Sequence, residues 1–286
     1  MNCSHWSQEH DDALRDMTGY LRIVDRSPRT IDCYTRGVRD FFLNTPKPLE
    51  QIVPRDAFDY LVHLKEDRGL AGKTLNQKRA ALKVLYSEVL HQTLPSNVIK
   101  YSKKALRIPE VLELKEATSF FRHCPDVRFR VFFMTLYSSG LRVSEATHLK
   151  IHDIDSSKML INVRAGKGGK DRKTLLSEKL LEELRLYWKV YRPKDWLFPG
   201  KDPRKPLAVD YVQRVCKTIA LKAGISKQVT PHTFRHTFAT ELLKAGVNLR
   251  YIQELLGHKS IQSTMIYLKV VPDSLQVKSP LDRLEI

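Results

Sequence analysis

The sequence predicts a mostly α-helical protein with a small antiparallel β-sheet, split into an all-α N-terminal domain and an α+β C-terminal domain. Three observations carry this. Residues 11–92 repeat apolar side chains at helical spacing, with no strand-like alternation. Two short strand-like runs, 159–163 and 174–176, are joined by a connection holding three glycines. Between Leu94 and Pro109 the apolar periodicity fails, and Pro95, Lys100, Lys103, Lys104 and Arg107 appear. The expected boundaries are therefore a first domain over 1–94, a basic extended linker over 95–109 and a second domain over 110–286. A length of 286 residues suits two cores rather than one.

In the first domain, Asp11 to Val24 reads as the first helix. Ser27 and Pro28 supply an N-cap and a first-turn proline for the second. That helix carries Ile31, Tyr34, Val38 and Phe41/Phe42 on one stripe and stops before Pro46 and Pro48. A third follows Pro54, with Phe58, Leu61, Val62 and Leu64, and ends near Gly69. The fourth turns Leu75, Leu82, Leu85, Tyr86 and Val89 inward and Lys73, Lys78, Arg79 and Lys83 outward. Taken alone, those cations fit an ordinary wet face better than a DNA-facing one.

In the second domain, helices are expected at Leu112–Phe121, at Val127–Tyr137 up to Gly140, and at Ser144–Lys150. Met159–Val163 and Thr174–Leu176 are the strands. The hairpin between them, Ala165-Gly166-Lys167-Gly168-Gly169-Lys170-Asp171, can approach a backbone closely and carries Lys167 near its tip. Further helices follow at Glu178–Tyr191, Val209–Ala223, Thr230–Gly246 and Leu249–Leu256, then a short one from Ser260 to Tyr267. Thr230–Gly246 has its own punctuation: Thr230 as a cap accepting from a free N–H, Pro231 in the first turn, and Gly246 for a left-handed stop. At 100° per residue, Phe234, Phe238, Leu242 and Ala245 share one side, and His232, Arg235 and His236 the other.

Composition narrows the class. The formal charge of +17 is uneven: residues 1–100 hold 15 Lys/Arg against 13 Asp/Glu, and residues 101–286 hold 34 against 19. A field of that sign on one half favours a polyanionic partner, with nucleic acid the leading candidate. No run of 18 apolar residues suggests a membrane span, and the N-terminus has no secretory pattern. Cys3, Cys33, Cys124 and Cys216 are scattered, which points to a reducing compartment, the cytoplasm.

Breaking a DNA phosphodiester without a metal needs a nucleophile, charge neutralisation at phosphorus and a proton for the leaving oxygen. Bidentate guanidinium is the best protein source of the second. Arg235 is one candidate; Arg142, at a helix start after Gly140, is another, with Glu145 three residues on to hold it. No metal is implied. His232 and His236 have i,i+4 spacing, but Thr233 stands where a zinc protease needs Glu, and no third ligand is suitably spaced. The hairpin lacks the Ser/Thr of a phosphate-binding loop, so no nucleotide cofactor is implied either.

Together these residues resemble the active site of the tyrosine recombinase (phage integrase) family. The resemblance rests on Arg142 in Ser139-Gly140-Leu141-Arg142-Val143-Ser144-Glu145, Lys167 in Gly166-Lys167-Gly168, and His232-x-x-Arg235. It continues with His258 in Leu255-Leu256-Gly257-His258 and Tyr267 in Ser263-Thr264-Met265-Ile266-Tyr267. Spacings of three, 23 and nine between His232, Arg235, His258 and Tyr267 are similar to those of Xer-type recombinases. The first domain resembles the family's core-binding domain.

The resemblance implies a site-specific recombinase acting through a 3′-phosphotyrosyl intermediate, for integration, excision or resolution of a mobile element or replicon. Tyr267 would be the nucleophile. Arg142 and Arg235 would bind the non-bridging oxygens, Lys167 would protonate the leaving 5′-oxygen, His232 would serve as base or relay for Tyr267, and His258 would hydrogen-bond the phosphate. Glu145 and His236 would support them from behind. Candidate DNA contacts are Lys73, Lys78, Arg79, Lys83, Lys100, Lys103, Lys104, Arg107, Lys170 and Arg172. A tetramer on double-stranded DNA is expected, with the tail 268–286 docking between protomers and accessory proteins compatible with it. The other readings are a type IB topoisomerase, which religates the same strand, and a non-catalytic DNA-binding accessory protein.

Overall fold

A computed structural model describes residues 6–101, 109–164 and 171–270, apart from the side chain of Ile99. The chain divides into two compact units, Met1–Leu106 and Arg107–Ile286.

The first unit is all-helical: α1 (Gln8–Ile23), α2 (Pro28–Asn44), α3 (Pro54–Glu66), α4 (Gly72–Val84) and a short α5 (Ser96–Ile99). Prolines open α2 and α3 where no intrahelical N–H is needed, and Ser27 Oγ accepts from the Thr30 N–H at 3.2 Å. The expected inward stripes meet in one core, where Met17, Val38, Phe41, Ile52, Leu64, Leu85 and Tyr86 are fully buried. Tyr86 stays buried because its hydroxyl donates to the Val53 carbonyl at 2.9 Å. A π turn over Leu85–Val89 ends α4.

One boundary differs from expectation. The start of the predicted linker is folded, because Val98 on α5 is only 2% exposed and belongs to this core. Pro95 set the helix start rather than an extended segment, as its fixed φ allows. Residues 102–108, which include Lys103, Lys104 and Arg107, lie outside the described residues.

The second unit begins with α6 (Leu114–Arg122), α7 (Val127–Ser139) and α8 (Val143–Thr147). A three-stranded antiparallel sheet of β1 (Ile154–Asp155), β2 (Leu160–Val163) and β3 (Arg172–Leu175), in that order, follows. Then come α9 (Glu178–Tyr191), α10 (Val209–Lys222), α11 (Pro231–Lys244), α12 (Leu249–Leu256) and α13 (Gln262–Met265), which runs into a 3₁₀ turn over Ile266–Lys269. β1 was not predicted because two residues show no alternation. It pairs Ile154 with Ile161. α8 is shorter than predicted: Lys150 leaves the helix to pair with Trp196 in an isolated bridge.

The core of this unit is aromatic. Phe120, Phe133 and Phe234 meet with ring centroids 5.0–5.4 Å apart, which locks α6, α7 and α11 together. β3 is tied to the end of α7 by the Thr174 hydroxyl, which donates to the Ser139 carbonyl at 2.7 Å. α7 begins on an Asp126 cap and ends at Gly140, whose φ of 62° is left-handed. No helix of the described residues is long and apolar enough to cross a membrane.

Candidate active site

α11 is the scaffold, but not as the two-faced surface helix its spacing predicts. Phe234 and Phe238 are buried as expected and Leu242 is half-buried, yet Ala239, Leu243, Arg235, Thr237 and Thr240 on other faces are buried too, because α7, α12 and the 3₁₀ turn surround the helix. Ala245, assigned to the core side, is exposed. The cap also runs the other way: the Thr230 N–H donates to Thr233 Oγ1 at 3.0 Å. Gly246 does take the left-handed stop, with φ 79°.

Burying a guanidinium requires acceptors for its N–H groups. Arg235 is 3% exposed and donates from Nη1 to the Gly140 carbonyl at 2.6 Å and from Nη2 to the Leu256 carbonyl at 2.7 Å. Burial, with the Arg142 charge nearby, lowers its pKa to about 10, so it remains a cation at neutral pH. Gly140 makes this possible twice over. Its φ favours glycine, and a Cβ there would lie 2.7 Å from Phe238 Cε1 and 3.0 Å from Leu256 Cδ2.

Arg142 is the N-cap of α8. Glu145 accepts from its backbone N–H at 2.8 Å and from Nη1 at 2.7 Å, and Nη2 reaches the Gly257 carbonyl at 3.3 Å. Glu145 also receives Arg172, which donates from Nη1 and Nη2 at 2.9 and 2.8 Å. Burial alone would raise the Glu145 pKa. The Arg172 guanidinium and the Arg142 contacts outweigh it and hold the carboxyl at about 2. Arg172 Nε then donates to the Leu255 carbonyl at 2.9 Å. Three successive carbonyls at the C-terminus of α12, Leu255, Leu256 and Gly257, thus each take a different arginine. Those are the carbonyls a helix leaves unpaired, at the negative end of its dipole.

The chain turns at Gly257 (φ 62°) and delivers His258, whose Nδ1 shares a hydrogen bond of 2.9 Å with the buried Thr264 hydroxyl. Tyr267 follows in the 3₁₀ turn and is 1% exposed. The ring of His258 lies nearly parallel to that of Tyr267, with centroids 6.5 Å apart. His236 Nδ1 lies 3.1 Å from Tyr267 Oη, and the His232 ring centroid is 6.5 Å from that of His236. Burial raises the Tyr267 pKa, partly countered by Arg235 and Arg142. His236 and His258 are both lowered to about 4 by burial and by neighbouring positive groups, so both are neutral at physiological pH. His232 is the exposed member of the set. Desolvation by the atoms crowding its ring, then the Arg235 and Arg142 charges, lowers its pKa as well.

Five of the six predicted active-site side chains, Arg142, His232, Arg235, His258 and Tyr267, therefore meet around the ends of α11 and α12. Lys167, with Lys170, lies outside the described residues. The family resemblance gave the tyrosine to His232 and left His236 a supporting place; it is His236 that touches the phenol. Arg172 is the other revision. Grouped by charge with the DNA-facing cations, it is instead buried on Glu145 and under Gly257, where a Cβ would come within 2.7 Å of its Cδ. Lys78 is likewise committed to Asp40 at 2.6 Å, and Arg79 reaches Asn76 at 3.1 Å. Lys73, Lys83 and Lys100 are exposed.

Comparison with known proteins defines the class. The family model described as "Phage integrase family" matches residues 106–273, and "Phage integrase, N-terminal SAM-like domain" matches residues 14–96. A putative integrase/recombinase, y4qK, of Sinorhizobium fredii is 38% identical, covering 94% of this chain and 88% of the relative. Tyrosine recombinase XerA of Pyrococcus horikoshii is 34% identical, covering 93% and 92%. The structure of XerH site-specific recombinase bound to difH substrate superposes with a TM-score of 0.68 at 24% identity, covering 93% of this chain and 86% of that one, and shares the fold.

The chain belongs to the phage integrase family, as a tyrosine recombinase of the Xer-like type: a DNA-binding strand-exchange enzyme. Neither the topoisomerase nor the accessory-protein reading is favoured by these relatives.

Proposed function

We propose that Tyr267 attacks a scissile phosphate at a specific duplex site, forming a 3′-phosphotyrosyl bond and breaking the bond to the 5′-oxygen. The bond energy is conserved, so a 5′-hydroxyl from a second duplex can reverse the step without a nucleotide cofactor. The observation that supports this best is the gathering of Arg142 and Arg235 on adjacent carbonyls of α12, beside a buried tyrosine. Two fixed guanidiniums neutralise the charge that develops on the non-bridging oxygens. The N–H groups not spent on carbonyls are those available to the phosphate.

The phenol proton passes to His236, which is neutral and in hydrogen-bond contact, and His232, one turn away and exposed, hands it to solvent. His258 donates to the phosphate, with its other nitrogen on Thr264. Lys167 supplies the proton for the 5′-oxygen. At 1% exposure Tyr267 cannot meet a phosphate, so docking on DNA must uncover it. Until then its raised pKa keeps it an unreactive phenol.

Exchange requires two duplexes with two copies on each, hence a tetramer assembled on DNA, in the cytoplasm. The segment 268–286 docks on an adjacent copy in that assembly. Exposed Lys73, Lys83 and Lys100, with the basic residues 103, 104 and 107, contact phosphates. The test is to incubate the protein with fragments of its host element, stop with detergent and map where protein stays covalently attached. Discrete 3′-linked sites are expected; detergent-stable complexes at no site would overturn the reading.

A further inference from the structure

The most unusual group outside the reacting set is Arg172. It is an arginine on a sheet strand, yet its side chain is 10% exposed, and among the described residues every polar contact it makes is internal. Three features define what it touches. Its fork closes on both oxygens of Glu145, the carboxylate that also holds the backbone and the guanidinium of Arg142. Its Nε donates to the Leu255 carbonyl, next to the carbonyls that hold Arg235 and Arg142. Its Cδ fills the space under Gly257, the turn that delivers His258.

From these contacts we infer that Arg172 is a positioning residue for strand transfer: it fixes Glu145 and the end of α12, and through them aims Arg142 and His258 at the phosphate, without touching DNA. The inference rests on the tyrosine-recombinase reading of the site. A single carboxylate shared by two arginines is a rigid bracket only if both are present. Without Arg172, Glu145 is held from one side, and the Leu255 carbonyl loses its donor. Lysine would restore the charge but not the planar fork.

The full-length protein tests this as Arg172→Gln and Arg172→Lys, on a nicked duplex carrying a site mapped by adduct formation. Affinity should stay within about threefold, with its salt slope unchanged. The single-turnover rate of adduct formation should fall at least tenfold in R172Q and by less in R172K. Adding Glu145→Gln to R172Q should cost little more, because both act through Arg142. An unchanged rate overturns the inference. So does weakened binding with a salt slope reduced by about one, which makes Arg172 a phosphate contact.

A second arm does not depend on catalysis. The Tm difference between wild type and R172Q should shrink as pH falls from about 5 toward 2, because Glu145 becomes increasingly protonated and its bracket with Arg172 is progressively lost. A difference that does not vary with pH means Arg172 does not act through Glu145. Wild-type protein that forms no adduct on any DNA defeats the recombinase reading, while this thermal arm still decides whether Arg172 braces Glu145.

Discussion

The contact between His236 and Tyr267 makes the sharpest claim, because the family resemblance assigned the proton to His232. The perturbation is His236→Asn, which keeps a polar group of similar reach but cannot take a proton, beside His232→Asn. The structure sets the magnitude. A base in direct contact with the phenol, at 3.1 Å, contributes about 10²–10⁴ in rate, which is about 3–5 kcal/mol of barrier. An exposed relay that the bulk solvent can replace contributes less. The pH dependence has a definite sign. With a pKa of about 4, His236 is a fully competent acceptor above about pH 5 and is lost as one as pH falls through about 4. Wild-type cleavage should therefore have an acid limb near that value, and H236N should lack it. The assay is single-turnover adduct formation on a nicked duplex from about pH 3 to 8, with Kd and Tm measured in parallel. H236N should bind normally and cleave at least a hundredfold more slowly, and H232N should fall less. The reverse order, with H236N within threefold of wild type, refutes the assignment.

Other consequences are testable singly. Glu145 is held at about 2 against an ordinary 4.5, so its contribution is present above about pH 4.5 and is lost as pH falls toward 2. Glu145→Gln should thus be destabilising by about 3 kcal/mol at pH 7, by roughly half that at about pH 3, and approach neutral only near pH 2, by thermal melts. Gly140→Ala combines a left-handed φ with overlap on Phe238, roughly 2–5 kcal/mol in all, and calorimetry should find Tm lower by roughly 5–20 °C. DNA affinity should fall steeply with salt, as several lysines and arginines release counterions, and a flat log–log plot would show that the charge asymmetry serves another purpose.

Local chemistry made most of the fold legible. Ser27-Pro28 and Gly140 punctuate helices where their backbone preferences require, and the short apolar run in 159–163 revealed β2. What escaped has a common cause: it depends on partners distant in sequence. Val98 joined the first core because α3 and α4 offered it a place, not because its neighbours look helical. Arg172 reads as one more cation until Glu145, 27 residues earlier, and Leu255, 83 residues later, surround it. Arg235 and His232 share a helix face, yet one is buried on two carbonyls and the other is exposed. Helical spacing could not separate His232 from His236 as the partner of Tyr267, since that contact spans 31 residues of chain. One signal was available: a helix closing on Leu255-Leu256-Gly257 leaves bare carbonyls, which are a natural landing place for arginines.

Tyr267 as the attacking group is the claim on which the rest depends, and Tyr267→Phe removes one oxygen from a residue the fold already encloses. The measurement is covalent adduct at the mapped site, quenched with detergent, beside equilibrium binding to the same duplex. Y267F should bind within about twofold of wild type and form no adduct, while wild type accumulates a 3′-linked complex and a free 5′-hydroxyl. An adduct that persists in Y267F would contradict the account, because the bond to phosphorus would then belong to another side chain.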